Sequence, residues 1–459
     1  MNPISAQAPP DSPLATANAV IGKYRWTICS LVFFATTINY LDRAVISYLK
    51  PDLEKAFGWG VADYANIELT FKVAYALGMA GVGRVIDKLG TKLGYALSTT
   101  LWSVAAMAHA LTTGTFSFGV ARGALGVMEA GNFPSAIKTI AEWFPQRERA
   151  LATGIFNSGA NVGAIVAPLT VPFIAANYGW QWAFIITGAL GFVWLVLWMY
   201  IYETPANSKR LSKAEFEYIN ADIPAGLPSE GVEEEKPKAS WAILLSYRQT
   251  WAFVVGKFLT DPIWWFYLFW LPDFLGKQYG LKGTELALPT AAVYILSSVG
   301  SVGGGYLPLG FIKRGMPAFA ARKRAMLLIA CCVFPIVFAQ WLGGISMWLA
   351  VLVIGIAAAA HQAWSANIFT TVSDMFPKRA VGSVTGIGGM AGGLGGIALT
   401  ALVQKRMFVH FESIGQIDKA YYIMFFICGG AYLLAWVLMF TLVPRMEPIT
   451  LDDQDIKKR

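Results

Sequence analysis

Charged residues are scarce in this chain: Asp, Glu, Lys and Arg make up 14% of its 459 residues, against ~25% in an ordinary soluble domain. So few charges cannot cover a water-exposed surface, and with 56% hydrophobic residues the expected solvent is a lipid bilayer. Cysteine and histidine are scarcer still. The four cysteines, Cys29, Cys331, Cys332 and Cys428, lie in apolar runs without redox or metal-ligand spacing. The histidines, His109, His361 and His410, are scattered, so no metal site is expected, and nothing in the chain calls for a cofactor. The nucleophile or metal constellation that an intramembrane enzyme needs does not appear.

What is present is a succession of apolar segments, each long enough to cross ~30 Å of hydrocarbon. Twelve are expected, at 26–49, 62–84, 94–113, 116–140, 150–175, 182–202, 250–275, 286–309, 325–343, 346–372, 381–404 and 420–444. The first follows a polar tail and shows no cleavage pattern, so it is expected to be retained as a helix. Lys and Arg gather in alternate loops, among them Lys88, Lys92, Arg147, Arg149, Lys209, Arg210, Lys313, Arg314, Lys378 and Arg379. The opposite loops are short and nearly neutral, with Lys50, Lys55, Lys277, Lys282, Lys405 and Arg406 as exceptions. Positive charge marks the cytoplasmic side, which places both termini there. The net charge of +8 follows from that topology, so nucleic acid is not an expected partner.

The longest polar stretch, about Glu203 to Ser246, contains the run Glu233-Glu234-Glu235 and divides the segments six and six. The expected organisation is a tail (1–25), a six-helix bundle (26–203), a cytoplasmic linker (204–249), a second bundle (250–445) and a tail (446–459). An offset of 232 residues supports the division. It aligns Phe144-Pro145 with Phe376-Pro377, Arg147 with Arg379, Thr153-Gly154 with Thr385-Gly386, and Gly163 with Gly395. The fold expected is therefore all-α, with two pseudo-symmetric six-helix bundles, and polar sites lie where such repeats meet. The same offset sets Glu129 opposite His361.

An ionisable side chain inside the hydrocarbon costs ~3 kcal/mol or more, so each one retained there is a functional candidate. Arg122 and Glu129 are two turns apart on one helix face, with room for Arg43 between them. A carboxylate beside an arginine stays ionised until a substrate anion competes for that arginine, and it then takes a proton. Asp42 and Glu129 are the carriers expected on that reasoning; the alternative is that Arg43, Asp42, Arg122 and Glu129 form a static ion-pair network joining helices, which apolar packing could replace. Glu68 with Lys72, and Lys257 with Asp261, are spaced four apart and form either self-neutralising pairs or cations for a substrate carboxylate. Tyr75 lies one turn from Lys72 and reaches the same region. Asn157 and Asn161, with Gln362, Ser365 and Asn367 beside His361 and Trp364, suit a hydroxylated ligand because amides both donate and accept. Trp264 or Trp265 offers a wall for a sugar ring, one of the pair at most, since helix neighbours point apart.

The stretch from Gly81 to Lys92, with Gly83, Arg84, Asp87 and Gly90, resembles the signature loop of the major facilitator superfamily, a conformational latch. Glu142 and Asp374, equivalent in the repeat, end their helices near the basic loops and read as gate braces. The glycine run from Gly388 to Gly396 lacks the Gly-Lys-Ser/Thr ending of a phosphate loop and reads as close helix packing.

With these residues in hand, nearly the whole chain resembles the anion:cation symporter branch of that superfamily, and within it the hexuronate transporters. The likeness is carried by Asn39-Tyr40-Leu41-Asp42-Arg43, Ala121-Arg122-Gly123 through Glu129-Ala130, Glu142-Trp143-Phe144-Pro145, Asp261-Pro262-Ile263-Trp264-Trp265-Phe266, and Ser373-Asp374-Met375-Phe376-Pro377. The resemblance implies that Asp42 and Glu129 are protonation sites, that Arg43 links them to substrate with Arg122 as a partner of the acidic residue, and that Tyr40 and Tyr75 contact the substrate's carboxylate region. Ala160 and Gly389 stand where aldonate carriers of this kind have glutamine and asparagine, which speaks against an aldonate. The expectation is a monomeric symporter of the cell inner membrane, carrying an organic anion with protons by alternating access. A hexuronate such as glucuronate or galacturonate is the first substrate expected; an aldonate or aromatic carboxylate is the alternative.

Overall fold

A computed structural model of the chain describes residues 22–59, 61–220, 240–281, 285, 287–399, 403, 405–445 and 447–449. The N-terminal half contains α1 (Tyr24–Phe57), α2 (Val61–Leu89), α3 (Thr91–Ala108), α4 (Thr115–Glu129), α5 (Asn132–Trp143), α6 (Gln146–Tyr178) and α7 (Trp180–Ile201). Two short helices follow, α8 (Lys213–Ile219) and α9 (Trp241–Ser246). The C-terminal half contains α10 (Arg248–Tyr279), α11 (Ala287–Lys313), α12 (Ala318–Val333), α13 (Ala339–Ile345), α14 (Met347–Met375), α15 (Lys378–Ala398), α16 (Lys405–Ser413) and α17 (Ile417–Leu442). The tails before Gly22 and after Ile449, and the acidic run of the linker, lie outside the described residues.

These helices make twelve crossings, because two of the crossings are interrupted. Pro134 has no N–H and its ring crowds the carbonyl four residues back, that of Ala130, so the fourth crossing breaks between α4 and α5. Pro335 sits in a 3₁₀ turn, Phe334–Phe338, that joins α12 to α13. Nine crossings among the described residues are apolar enough to read as membrane spans on composition alone. The others are α3, whose 18 residues include Lys92 and five of Ser and Thr, the α4–α5 pair, which carries Arg122, Glu129 and Lys138, and α10, which carries Lys257 and Asp261. Ionisable residues in a membrane helix face a protein interior or a cavity, and α4, α5 and α10 border the central cavity. The helix of the first crossing runs on through residue 57, beyond the apolar span that ends at Leu49; a left-handed Gly58 (φ 67°) stops it.

The first and last described residues, Gly22 and Ile449, lie on one face. The backbone amides of Tyr24 and Arg25 each donate to Glu215 of α8 at 3.1 Å, the Tyr24 hydroxyl donates to the Ile201 carbonyl at 2.8 Å, and Ile449 N–H donates to the Met375 carbonyl at 2.8 Å. We refer to this side as the terminal face.

The two halves meet along α2 with α15 and α6 with α11, and backbone meets backbone there. A Cβ on Gly83 would strike the Gly382 carbonyl, and one on Gly305 would strike that of Ala150. A Cβ on Gly386 would strike the Met79 carbonyl, and one on Gly154 that of Ser301. Gly83 and Gly305 are 222 residues apart, as are Met79 and Ser301, while Ala150 and Gly154 precede Gly382 and Gly386 by 232. The two seams are thus copies of one contact, related by a pseudo-twofold axis. The loops that open α6 and α15 match as well: Pro145 and Pro377 are extended N-caps with φ −62° and −63°.

Candidate transport site

Between the halves lies a cavity of about 630 Å³, walled by α1, α2, α4, α6, α10, α11, α14 and α15. Its floor is aromatic. Phe133 stacks on Phe369 with centroids 5.3 Å apart, and Phe253 packs on Phe369 at 5.9 Å. Between this floor and the terminal face, α5, α14 and the start of α15 are almost wholly buried, so the cavity is shut on that side. Ser47 and Tyr48, about one turn beyond Arg43 on α1, line it and are exposed. The cavity therefore opens away from the terminal face.

Two clusters hold the terminal face closed. Asp87 of α2 accepts from the Ser383 backbone N–H at 2.7 Å and from its hydroxyl at 2.6 Å, across the halves, and pairs with Lys138 at 3.0 Å within its own half. Asp374 pairs with Arg322 at 2.6 Å and, across the halves, with Arg149 at 3.5 Å; Arg149 also donates to the Ser373 carbonyl. Glu142, the repeat equivalent of Asp374, accepts from Thr91 and Tyr202, both in its own half, at 2.5 Å. Arg84 is exposed on α2.

On the N-terminal wall, Arg43 Nε donates to Glu129 Oε2 at 3.0 Å and Arg43 Nη2 to Asn39 Oδ1 at 3.3 Å. The guanidinium lies between the rings of Tyr40 and Tyr75, 4.6 and 4.7 Å from their centroids. Arg122 reaches the same place differently, donating to the Arg43 backbone carbonyl at 2.8 Å and lying over Phe71. The geometry puts Arg43 in front, facing the cavity, and Glu129 behind it. Asp42 points away into the N-terminal half, buried, with Thr187, Arg122 and Glu129 as its polar neighbours.

The C-terminal wall is built from α10 and α14. Lys257 Nζ lies 2.7 Å from Asp261 Oδ2 and 4.2 Å from the Phe369 centroid. Trp264 stacks on His361 at 5.0 Å with the rings 7° from parallel, and His361 Nδ1 shares a 2.5 Å hydrogen bond with the Tyr432 hydroxyl. Trp264 and Trp265 both line the cavity, where one was expected, because the lining stripe of α10 (Lys257, Asp261, Trp264 and Trp265) covers about 100° of the helix. Lys72 stands over Trp265 at 5.8 Å. The side chain of Glu68 lies outside the described residues.

Amides bridge the halves. Asn157 Nδ2 of α6 donates to Gln362 Oε1 of α14 at 2.8 Å, and Gln362 Nε2 donates to Asn161 Oδ1 at 3.4 Å. Asn157, Gln362 and Ser365 line the cavity; Asn161 is buried behind them. Asn367 instead donates to the carbonyls of Gly304 and Ala363, both at 2.9 Å, and ties α14 to α11. Trp364 packs edge-on against Tyr432 inside the C-terminal half. Three aromatic residues of the lining escaped sequence reasoning: Tyr294, Phe133 and Phe369 have nothing in their spacing that sets them apart from core aromatics. Ser383 and Arg149, which join the halves, were equally hidden, although their places opening α15 and α6 mark them once the repeat is known.

A twofold bundle around a central polar cavity, shut at one face, is the architecture of an alternating-access transporter. The family model of the Major Facilitator Superfamily matches residues 32–400. The chain is 33% identical over 370 residues to the hexuronate transporter of Escherichia coli (strain K12), covering 80% of this chain and 84% of that protein. It is 35% identical over 289 residues to the galacturonate transporter of Dickeya chrysanthemi, covering 63% and 83%. The structure superposes on that of the proton:xylose symporter XylE with a TM-score of 0.72 at 16% identity, over 94% of this chain and 98% of the other. The chain belongs to the Major Facilitator Superfamily and is a membrane transporter, not an enzyme.

Proposed function

We propose that this protein is a proton-coupled symporter that imports a hexuronate, such as glucuronate or galacturonate, by alternating access. The observation that carries the reading is the placement of Arg43 in front of Glu129. An entering carboxylate competes for the guanidinium, Glu129 loses its counter-charge in a water-poor site, and a proton on Glu129 restores neutrality. Asp42, buried behind, serves as the second proton site. Tyr40 and Tyr75 hold the guanidinium in position, so the substrate carboxylate meets a preset cation.

Around that contact, Asn157, Gln362 and Ser365 offer donors and acceptors for ring hydroxyls, while Trp264 supplies an apolar wall. A volume of about 630 Å³ suits a hexose acid with some water. The relatives named as hexuronate and galacturonate transporters point to the same substrates. We place the protein in the cell inner membrane as a monomer, with the terminal face cytoplasmic, which makes the present conformation outward-open. The protein's partners are then the anion, protons and the bilayer, and Asp87, Arg84, Glu142 and Asp374 lie at the gate. With more than one proton per monoanion, import also gains ~2.3 kcal/mol per net charge per 100 mV of membrane potential.

The test is uptake of radiolabelled glucuronate, galacturonate and gluconate into proteoliposomes under an inward proton gradient. Gradient-driven accumulation of a hexuronate is expected. Glu129→Gln is expected to abolish accumulation while substrate exchange at equal pH persists. Uptake of gluconate alone would overturn the substrate, and accumulation unchanged in Glu129→Gln would overturn the coupling site.

A further inference from the structure

The Arg43–Glu129 pair has a counterpart on the opposite wall, Lys257–Asp261, and the two are turned opposite ways. In the first pair the arginine side chain keeps 19% of its surface exposed and the glutamate none; in the second the lysine keeps 6% and the aspartate 20%. One wall therefore shows an arriving anion a cation, and the other shows it a carboxylate. Asp261 can lie there because α15 has glycine at 392, where a Cβ would strike the Asp261 carboxylate. Among the described residues α15 lines the cavity with Gly389 and Gly393, beside Lys257 and Asp261.

Among the described residues the groups around Asp261 are few. Lys257 faces it from its own helix, Tyr40 from α1, Tyr75 from α2 and Tyr432 from α17; His361 of α14 faces Lys257, and Lys72 of α2 stands over Trp265 one turn further along. The ion pair with Lys257, at 2.7 Å, has the spacing that a bound substrate carboxylate would adopt.

From this arrangement we infer that Asp261 occupies on Lys257 the place of a substrate oxyanion, and that it must take up a proton before the anion engages the C-terminal wall. The step breaks the Lys257–Asp261 ion pair, adds one proton from the open side to the Asp261 carboxylate, and forms an ion pair between Lys257 and the substrate. Charge balances, because one anion enters with one proton. The proposal rests on the symport reading above and adds to it a coupling group in the C-terminal half.

The experiment is equilibrium binding of radiolabelled glucuronate and galacturonate to the purified full-length protein between about pH 6 and 9, where each linked proton weakens binding tenfold per pH unit. In Asp261→Asn the slope at the alkaline end is expected to fall by one proton, with binding there tighter than wild type by about tenfold or more. An unchanged slope, or weaker binding in Asp261→Asn, overturns the proposal, since removing a competitor cannot weaken its rival. If Asp261→Asn does not fold, the double variant Lys257→Gln, Asp261→Asn removes both charges together; it should bind less tightly with the same reduced slope, and a slope equal to wild type again overturns the proposal. Wild-type protein that binds neither hexuronate refutes the substrate reading instead, and the slope measured with whichever organic anion does bind then decides on Asp261.

Discussion

Replacing Ser383 by alanine removes one hydrogen bond from the latch that joins the two halves at the terminal face. The Ser383 hydroxyl donates to Asp87 at 2.6 Å, and the backbone N–H beside it keeps its own 2.7 Å bond in the variant. Hydrogen bonds to a charged acceptor are worth ~1.5–3 kcal/mol when both groups are buried, as these are. Opening the face gives both groups to water, so the lower end applies, and ~1.5 kcal/mol moves the balance between closed and open states about tenfold. Asp87→Asn would be a poorer probe, because it also strips the charge from the partner of buried Lys138. The measurement is the distance distribution between spin labels at Leu89→Cys and Arg314→Cys, both exposed at the terminal-face ends of α2 and α11, with the exposed Cys331 and Cys332 replaced. The longer-distance population should grow about tenfold relative to the shorter one. A distribution identical to that of unsubstituted Ser383 would refute the idea that this contact helps to hold the face shut.

Two further outcomes follow from the packing. In Gly305→Val the new side chain meets the Ala150 carbonyl 2.5 Å from its Cβ, and overpacking of ~1–3 kcal/mol or more at this seam should cut uptake about tenfold; Gly81→Val, with nothing within 4 Å, should transport normally in the same assay. Arg25→Ala leaves Glu215 and Glu148 without the guanidinium that sits 2.9 Å from each, so it should cost ~3–5 kcal/mol, seen as a lower melting temperature by tryptophan fluorescence, and an unchanged melting temperature would show that α8 does not brace α1.

Much of the architecture was legible because the bilayer imposes it: apolar length gives the crossings, and the 232-residue offset gives the twofold. The interruptions were harder to read. Pro134 and Pro335 break their crossings, yet a proline in a membrane helix does not always do so, and Pro262 sits within an unbroken α10. At the site, Arg43, Glu129 and Arg122 came together as their spacing suggested, since charge has few places to go in hydrocarbon. Depth was not legible. Glu129 and His361 occupy equivalent positions, but only His361 reaches the cavity wall, because Arg43 fills the space in front of Glu129. For Trp364, next to Ser365, and Asn367, two residues from both Ser365 and Phe369, helical phase alone decided the direction, and that phase depends on a helix rotation fixed by packing against α11 and α17.

The glycine seams carry a consequence for the speed of the cycle. Where side chains interlock, one surface can move over another only by unseating each knob from its hole, and every notch adds a barrier. Here Gly83 rests on Gly382, and Gly305 on Ala150 and Leu151, so the surfaces that pivot are nearly smooth. A smooth bearing offers little friction of its own. The resistance to turning then resides in the fastenings at the rim, which substrate and protons can alter, and the seam itself stays passive while they do.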